Sequence, residues 1–434
     1  KGALHISVNK NMWNCCACMT RGVNNSGGGR TQLYAKYFNM TNSEAYHNIC
    51  DLYGIEKDYR SIDVDEPTKE EPKRDVREID YVYRALLSIL TLSDEHKKNL
   101  RKRGLNDAAI QKHQYRSVPV TGVDNIVKTL LSYNMDLKGV PGFYMLDGKW
   151  KVNFTPALAG ILIPVMSREG YIQGFQIRLN KPIRDSKYMW FSSQGKECGS
   201  SPGSPVHFIG DDPLAKTVVL TEGCLKANVA HELSKYLMNK PMTFVAIAGC
   251  GQFNSTKKAL SSLKEYGCEL VYDGFDMDKF KNPNVYRAMA KNFDIAHEVG
   301  IRMEVYRWNA IEIYGNFKQN TPYKVLINDK DYAFYSTYTN HKREFFDEFF
   351  ADEKTGRLII PEPILNPLHP HEDVNCKLID VETGDYSEFK MNVDASINRC
   401  QDYTVWQKKG IDDYFYSLVR LKNCLLYTSD AADD

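Results

Sequence analysis

Long apolar runs are missing from this chain of 434 residues. The longest, ALAGILIPVM at Ala157 to Met166, falls far short of the ~20 residues a membrane-crossing helix needs. No signal peptide precedes the first residues, so a cytoplasmic protein with no membrane partner is expected. Net charge is equally scarce: at +1 the molecule has no global attraction for polyanions, and any nucleic acid must be held by local basic patches. A Walker phosphate loop is absent, which excludes a helicase motor of that type. The eleven cysteines form no secreted framework. Only Cys15, Cys16 and Cys18 cluster, which points to reduced thiols plus one metal half-site.

What is present is an ordinary globular balance, 43% apolar and 26% charged, long enough for two or three domains. The chain starts at Lys1 without a methionine, and its tail CLLYTSDAADD, residues 424–434, resembles a translated sequencing adaptor. The tail is set aside as an artefact, and a fragment of a larger protein is expected.

The pattern of elements divides the rest. Residues 1–55 open with alternating LHISV, a turn, and MWNCCAC, which reads as a hairpin leading into a cysteine knuckle. A Gly/Asn loop and two short helices follow, and residues 56–78 form a charged linker. Residues 79–215 are helical and then strand-rich, with Ser93 placed to cap a helix that Gly104 closes. Residues 216–308 alternate strand and helix, the arithmetic of a mainly parallel sheet. Residues 309–405 are rich in aromatics and acids and show no period that assigns a fold, and 406–423 close the chain. The expected class is α/β.

In open α/β sheets, sites form at the carboxyl ends of strands. Two such ends are acidic here: Glu222 follows VVLT, and Asp276 and Asp278 follow LVYDGF. If two of these carboxylates sit roughly 5 Å apart, their repulsion is on the order of 3 kcal/mol at an effective dielectric of about 20. A hard divalent cation, Mg2+ or Mn2+, is the expected offset, since this cluster lacks the thiol and imidazole ligands of softer metals. Taken singly, each acid reads equally as a helix cap or turn former.

The stretches VVLTEGCLKANVAHEL, FVAIAGCGQF and LVYDGFDMDKFKNPNVYRAM resemble the toprim domain of bacterial-type DNA primases and topoisomerases, most of all the toprim proteins of phages and mobile elements. The resemblance implies a Rossmann-like core in which Glu222, Asp276 and Asp278 hold Mg2+ for nucleotidyl or phosphodiester transfer. Classical primases carry an acid where this chain has Lys226, which makes Lys226 a candidate contact for the cofactor. GYIQGFQIRLNKPIRDSKYMWFSS resembles the primase segment before that domain and implies that Arg178 and Lys187 meet the incoming triphosphate. WQKKGIDDYFYSL resembles the closing motif, placing Asp412 and Asp413 beside the metal. ALHISVNKNMWNCCAC resembles the end of a CHC2-type zinc ribbon, with Cys15 and Cys18 as half of a Zn2+ site whose other pair lies upstream of Lys1; two thiolates alone hold zinc poorly.

These likenesses imply a primase-like enzyme that copies single-stranded DNA with ribonucleoside triphosphates, with two metal ions and a replicative helicase as partner. A DNA-binding accessory without synthesis and a toprim nuclease are the alternatives. Outside the motif, HKKNLRKRG (His96 to Gly104) reads as a solvated helix face or a phosphate-tracking surface. Phe143, Tyr144 and Trp190 read as core or as stacking platforms for unpaired bases.

Overall fold

The computed structural model describes residues 71–183, 186–280 and most of 282–429, the gaps there being 307, 309, 328, 332–333, 340–341, 347, 354, 362–373, 392–396, 400–402 and 407. Within 1–53 it describes 4–7, 12–15, 27–38, 40 and 42–53. The chain divides into two compact units, Lys1–Lys69 and Glu70–Asp434.

In the first unit, β1 (Leu4–Ser7) and β2 (Met12–Cys15) form the expected hairpin, registered Leu4 to Cys15. The glycines of the expected loop instead build a third strand, β3 (Gly27–Gly29), beside Trp13. Glycines without side chains let this backbone pair closely with β2. Helices α1 (Arg30–Phe38) and α2 (Asn42–Tyr53) follow, with Trp13, Ala35, Ala45 and Cys50 buried.

The second unit starts with α3 (Val76–Ile89), capped by Asp75, whose side chain accepts a hydrogen bond from the Arg77 amide. Then come α4 (Asp94–Lys102), α5 (Asp107–Lys112), β4 (Arg116–Ser117) and α6 (Val123–Ser132). Ser93 caps α4 by accepting from the His96 amide, and Gly104 follows with φ +95°, a conformation that favours glycine. A small hairpin, β5 (Phe143–Leu146) and β6 (Lys149–Val152), leads to β7 (Gly160–Met166), β8 (Ile172–Ile183) and β9 (Ser186–Trp190), which join β4 in a four-stranded sheet.

Strand β10 (His207–Ile209) then edges a second sheet made with β11 (Thr217–Glu222), β12 (Phe244–Ile247), β13 (Leu270–Asp273) and β14 (Arg302–Val305). Its order is β10-β12-β11-β13-β14, and every pair except β10 with β12 is parallel. The crossovers are α7 (Cys224–Leu237), α8 (Phe253–Glu265) and α9 (Pro283–Val299). This is the α/β class that the strand and helix alternation predicts.

Alternation along the strands sorts the cores. In β7, Leu162 faces α3 and α6, whereas Ile161, Ile163 and Val165 face α7 and the second sheet. In β11, Val219 joins that middle core, while Val218 and Leu220 turn to α8 and α9. The second unit is therefore layered, with the middle core uniting the two sheets.

The strands described within residues 309–405 pair antiparallel. Strand Ala310–Ile313 pairs with Leu358–Pro361 and with Tyr403–Trp406, and Tyr323–Ile327 pairs with Val374–Asp380, which pairs with Tyr386–Met391. The entry strand and the exit strand are thus direct neighbours. The chain then enters α10 (Ile411–Ser429), whose backbone carries on through the first residues of the adaptor-like tail. No helix among the described residues is long and apolar enough to cross a membrane.

Candidate active site

Strand β11 ends at Glu222, and Gly223, with φ +84°, turns the chain into α7. Parallel pairing sets Leu220 beside Asp273. The chain beyond β13 therefore delivers Asp276, and Asp278 in the short 3-10 helix Met277–Phe280, near the end of β11. The third contribution returns from the end of the β region. The Met277 amide donates to the Lys409 carbonyl over 2.9 Å, and Trp308 Nε1 donates to the Lys408 carbonyl over 2.7 Å. This brings Gly410, Asp412 and Asp413 alongside. A side chain at Gly410 would meet Asp412 Oδ1 at 2.5 Å, Asp413 Oδ2 at 3.5 Å and Asp276 Oδ1 at 3.6 Å. Glycine is the residue that lets these three carboxylates share the space.

Cations of the same chain offset part of the cluster's charge. The Lys226 ammonium, in the first turn of α7, pairs with Asp276 Oδ1. Lys409 Nζ lies 2.8 Å from Asp278 Oδ2 and 4.0 Å from Asp276 Oδ2. Arg103, just past α4, reaches Asp412 Oδ2 at 3.8 Å. Burial raises the Glu222 pKa, and the charges of Asp276 and Asp278 push the same way against Lys226 and Lys409. Burial and then Asp413 push Asp412 up to about 6. Burial works against the Lys226 charge, but Asp276, Asp412 and Glu222 outweigh it and its pKa is raised. The structure therefore brings Glu222, Asp276, Asp278, Asp412 and Asp413 into one electrostatic neighbourhood.

The expected reason for their coexistence needs correction. Carboxylates match Mg2+ in kind, but here they are answered first by lysines of the chain. Lys226 and Lys409 sit on the oxygens of Asp276 and Asp278, and among the described residues no group of three or more acidic, His or Cys side chains is disposed to hold a metal. Asp273, at the end of the same strand, lies apart. It is fully buried against Lys279, whose Nζ is 3.5 Å from its carboxylate and donates to its carbonyl over 3.1 Å.

The sheet of β7, β8 and β9 forms an adjoining wall. Ile161, Arg178 and Tyr188 are cross-strand partners, so they share one face. Ile161 faces the middle core, and the same face therefore looks to the acids. Burial raises the Tyr188 phenol, and Arg103, Asp412 and Lys226 are close enough for their charges to act on it. Arg178 Nη1 is buried and has no hydrogen-bond partner among the described residues. Lys187 is exposed and lies one residue out of step with Tyr188, where the β8–β9 register shifts. Strand alternation gives it to the opposite face from Arg178.

The other expected features separate. Cys15 ends β2, and Cys18 lies outside the described residues. The basic run at 96–104 is no uniform cationic face: His96 is buried between Ser117 and Asn180, Arg101 pairs with Asp107, and Arg103 turns to Asp412. Phe143 is core, Trp190 packs against the middle core, and Lys196 lies over the Tyr144 ring at 3.9 Å. Sequence reasoning missed Lys409, Gly410, Arg103 and Tyr188. The first two stand within the quoted closing motif and Arg103 within the basic run, so their signal was position and not residue type.

No family model matches the chain, and no curated protein does. Solved structures offer a partial likeness. The zinc-binding and RNA polymerase domains of the Aquifex aeolicus primase align over 70% of this chain and 68% of that one, at 16% identity and a TM-score of 0.39. The E. coli primase catalytic core aligns over 53% and 71%, at 18% identity and 0.36. A DnaG primase catalytic domain described as bound to ssDNA aligns over 53% and 72%, at 16% identity and 0.36.

Proposed function

We propose that this chain is a primase-like nucleotidyltransferase that joins ribonucleotides on single-stranded DNA during replication of a phage or mobile element. The observation that carries the reading is the meeting of Glu222, Asp276 and Asp278 at the carboxyl ends of neighbouring parallel strands, the position at which open α/β sheets build their sites. Arg178 adds support. A buried guanidinium nitrogen without a partner is costly unless an anion comes to it, and the triphosphate of an incoming nucleotide is the anion this reaction supplies. In this reading Tyr188 and Arg178 line the nucleotide side, and Arg103 and Lys409 contribute positive potential at the rim. Mg2+ belongs to the reading as the ion that suits carboxylates in kind, and Zn2+ as the ion of an intact ribbon around Cys15 and Cys18. A replicative helicase would deliver the template.

The test is primer synthesis on a single-stranded template with ribonucleoside triphosphates and Mg2+ or Mn2+. Asp276→Asn should abolish product while circular dichroism stays that of the parent. Undiminished synthesis by the variant would refute the assignment. One observation favours a second reading, a DNA-binding accessory without synthesis: Lys226 occupies Asp276 directly. Template binding without product by the parent chain would select it, and nicking of DNA would select a nuclease instead.

A further inference from the structure

The carboxylate neighbourhood has a charge balance that can be read residue by residue. Five acids meet there: Glu222, Asp276, Asp278, Asp412 and Asp413. Among the described residues, three cations form ion pairs with them: Lys226, Lys409 and Arg103. With all ionised, five negative against three positive leaves a net charge of −2. One divalent cation cancels that and a second would overshoot it. The cations differ in how firmly they are held. Lys409 is 65% exposed at the rim and Arg103 is 29% exposed at 3.8 Å from its partner, whereas the Lys226 side chain is only 19% exposed and rises from the first turn of α7 into the acids. A lysine ammonium is a compact point charge on a flexible stem, and here it sits where a metal ion would otherwise meet Asp276.

We propose that Lys226 is a resident cation of this site, occupying the place of one divalent ion, so that the unliganded protein takes up no more than one such ion per chain. Lys409 competes in the same way at Asp278, more weakly because water reaches it. The limit is set by charge and not by the number of oxygens available. Replacing Lys226 by a neutral residue shifts the balance to −3, and replacing it by an acid shifts it to −4, which two divalent ions would cancel. The acids themselves are those of the proposed function, but metal uptake is independent of synthesis and can be measured with neither template nor nucleotide present.

The experiment is titration of the full chain with Mn2+ alone, free ion being read from its electron paramagnetic resonance signal. The parent should bind at most one Mn2+ per chain. Lys226→Gln should bind it at least ~10-fold more tightly, since a unit charge a few Å away is removed from a poorly solvated site, and Lys226→Glu should bind two. Lys216→Gln, which removes an exposed lysine paired with Glu269 away from the cluster, should match the parent. Two Mn2+ on the parent, or unchanged affinity in Lys226→Gln, would overturn the proposal. If the Lys226 variants fail to fold, as judged by their thermal transitions, Lys409→Gln reads the same competition from the exposed rim. Tighter Mn2+ there supports the proposal and unchanged Mn2+ sinks it. A chain that makes no primer yet shows these shifts would refute the proposed activity and leave this inference standing, and the reverse outcome would do the opposite.

Discussion

Two lysine–aspartate pairs whose carboxylates stand close together at the end of β13 do different work. Asp273 and Lys279 are both 0% exposed, closed in by Trp308, over whose ring Lys279 lies at 5.5 Å. Asp276 and Lys226 are each 19% exposed and share their space with further acids and cations. The sealed pair has every approach blocked, so it can only fix the turn that follows the strand. The open pair is partly exposed, so ions and phosphates can reach it. Burial, and not residue type, separates the structural carboxylate from the candidate functional one.

The comparison can be broken most severely at the sealed pair. Lys279→Met leaves the Asp273 carboxylate buried without its partner and should cost about 3–5 kcal/mol, measured by urea unfolding. Adding Asp273→Leu should recover part of that loss, because the uncompensated charge is then gone. If the single variant is as stable as the parent, the pair is not what holds this turn.

A buried group without a charged partner sharpens the contrast. His207 is fully buried, accepts a hydrogen bond from the Met166 amide at Nδ1 over 3.0 Å, and meets Asn228 Oδ1 with Nε2 at 2.8 Å. Burial lowers its pKa from 6.5 to about 4. The folded protein therefore binds fewer protons than the unfolded chain between those values. The stability the neutral ring contributes is complete above pH 6.5 and is lost as pH falls toward 4, by on the order of 3 kcal/mol in total. Unfolding free energies measured across that window should slope accordingly, and His207→Gln should remove most of this part of the slope.

The open pair should give the smallest change in stability. Lys226→Met should cost only about 1–2 kcal/mol, because water partly solvates the Asp276 it leaves behind. Added Mn2+ should raise the melting temperature of that variant more than the parent's, as ligand linkage requires. A larger loss than at Lys279 would reverse the ranking on which the comparison rests.

Much of this was legible from residue order. The parallel sheet announced itself because its strands are apolar runs such as VVL and FVAI, punctuated by glycine, and buried on both faces. Glu222, Asp276 and Asp278 were visible because each ends or follows such a run. The antiparallel region was not, since its strands are short and mix charge with aromatics, as in KREFF and YSEFKM. The neighbours of Ala310–Ile313 also lie far along the chain. The lysines were opaque for the same reason. Nothing in a local pattern says that Lys226 meets Asp276 or that Lys409 meets Asp278; those contacts exist only once distant segments have closed on one another. For Lys187 the motif gives only spacing, whereas alternation along β9 decides which face a side chain takes.

The pairing of Ala310–Ile313 with Tyr403–Trp406 puts the first and last strands of the β region side by side at the centre of a four-stranded sheet. The last of them leads to Lys408 and Lys409, whose carbonyls accept from Trp308 and Met277. Anything that grips that sheet and pulls would load its last strand, and the tension would arrive beside Asp276 within a few residues of its origin.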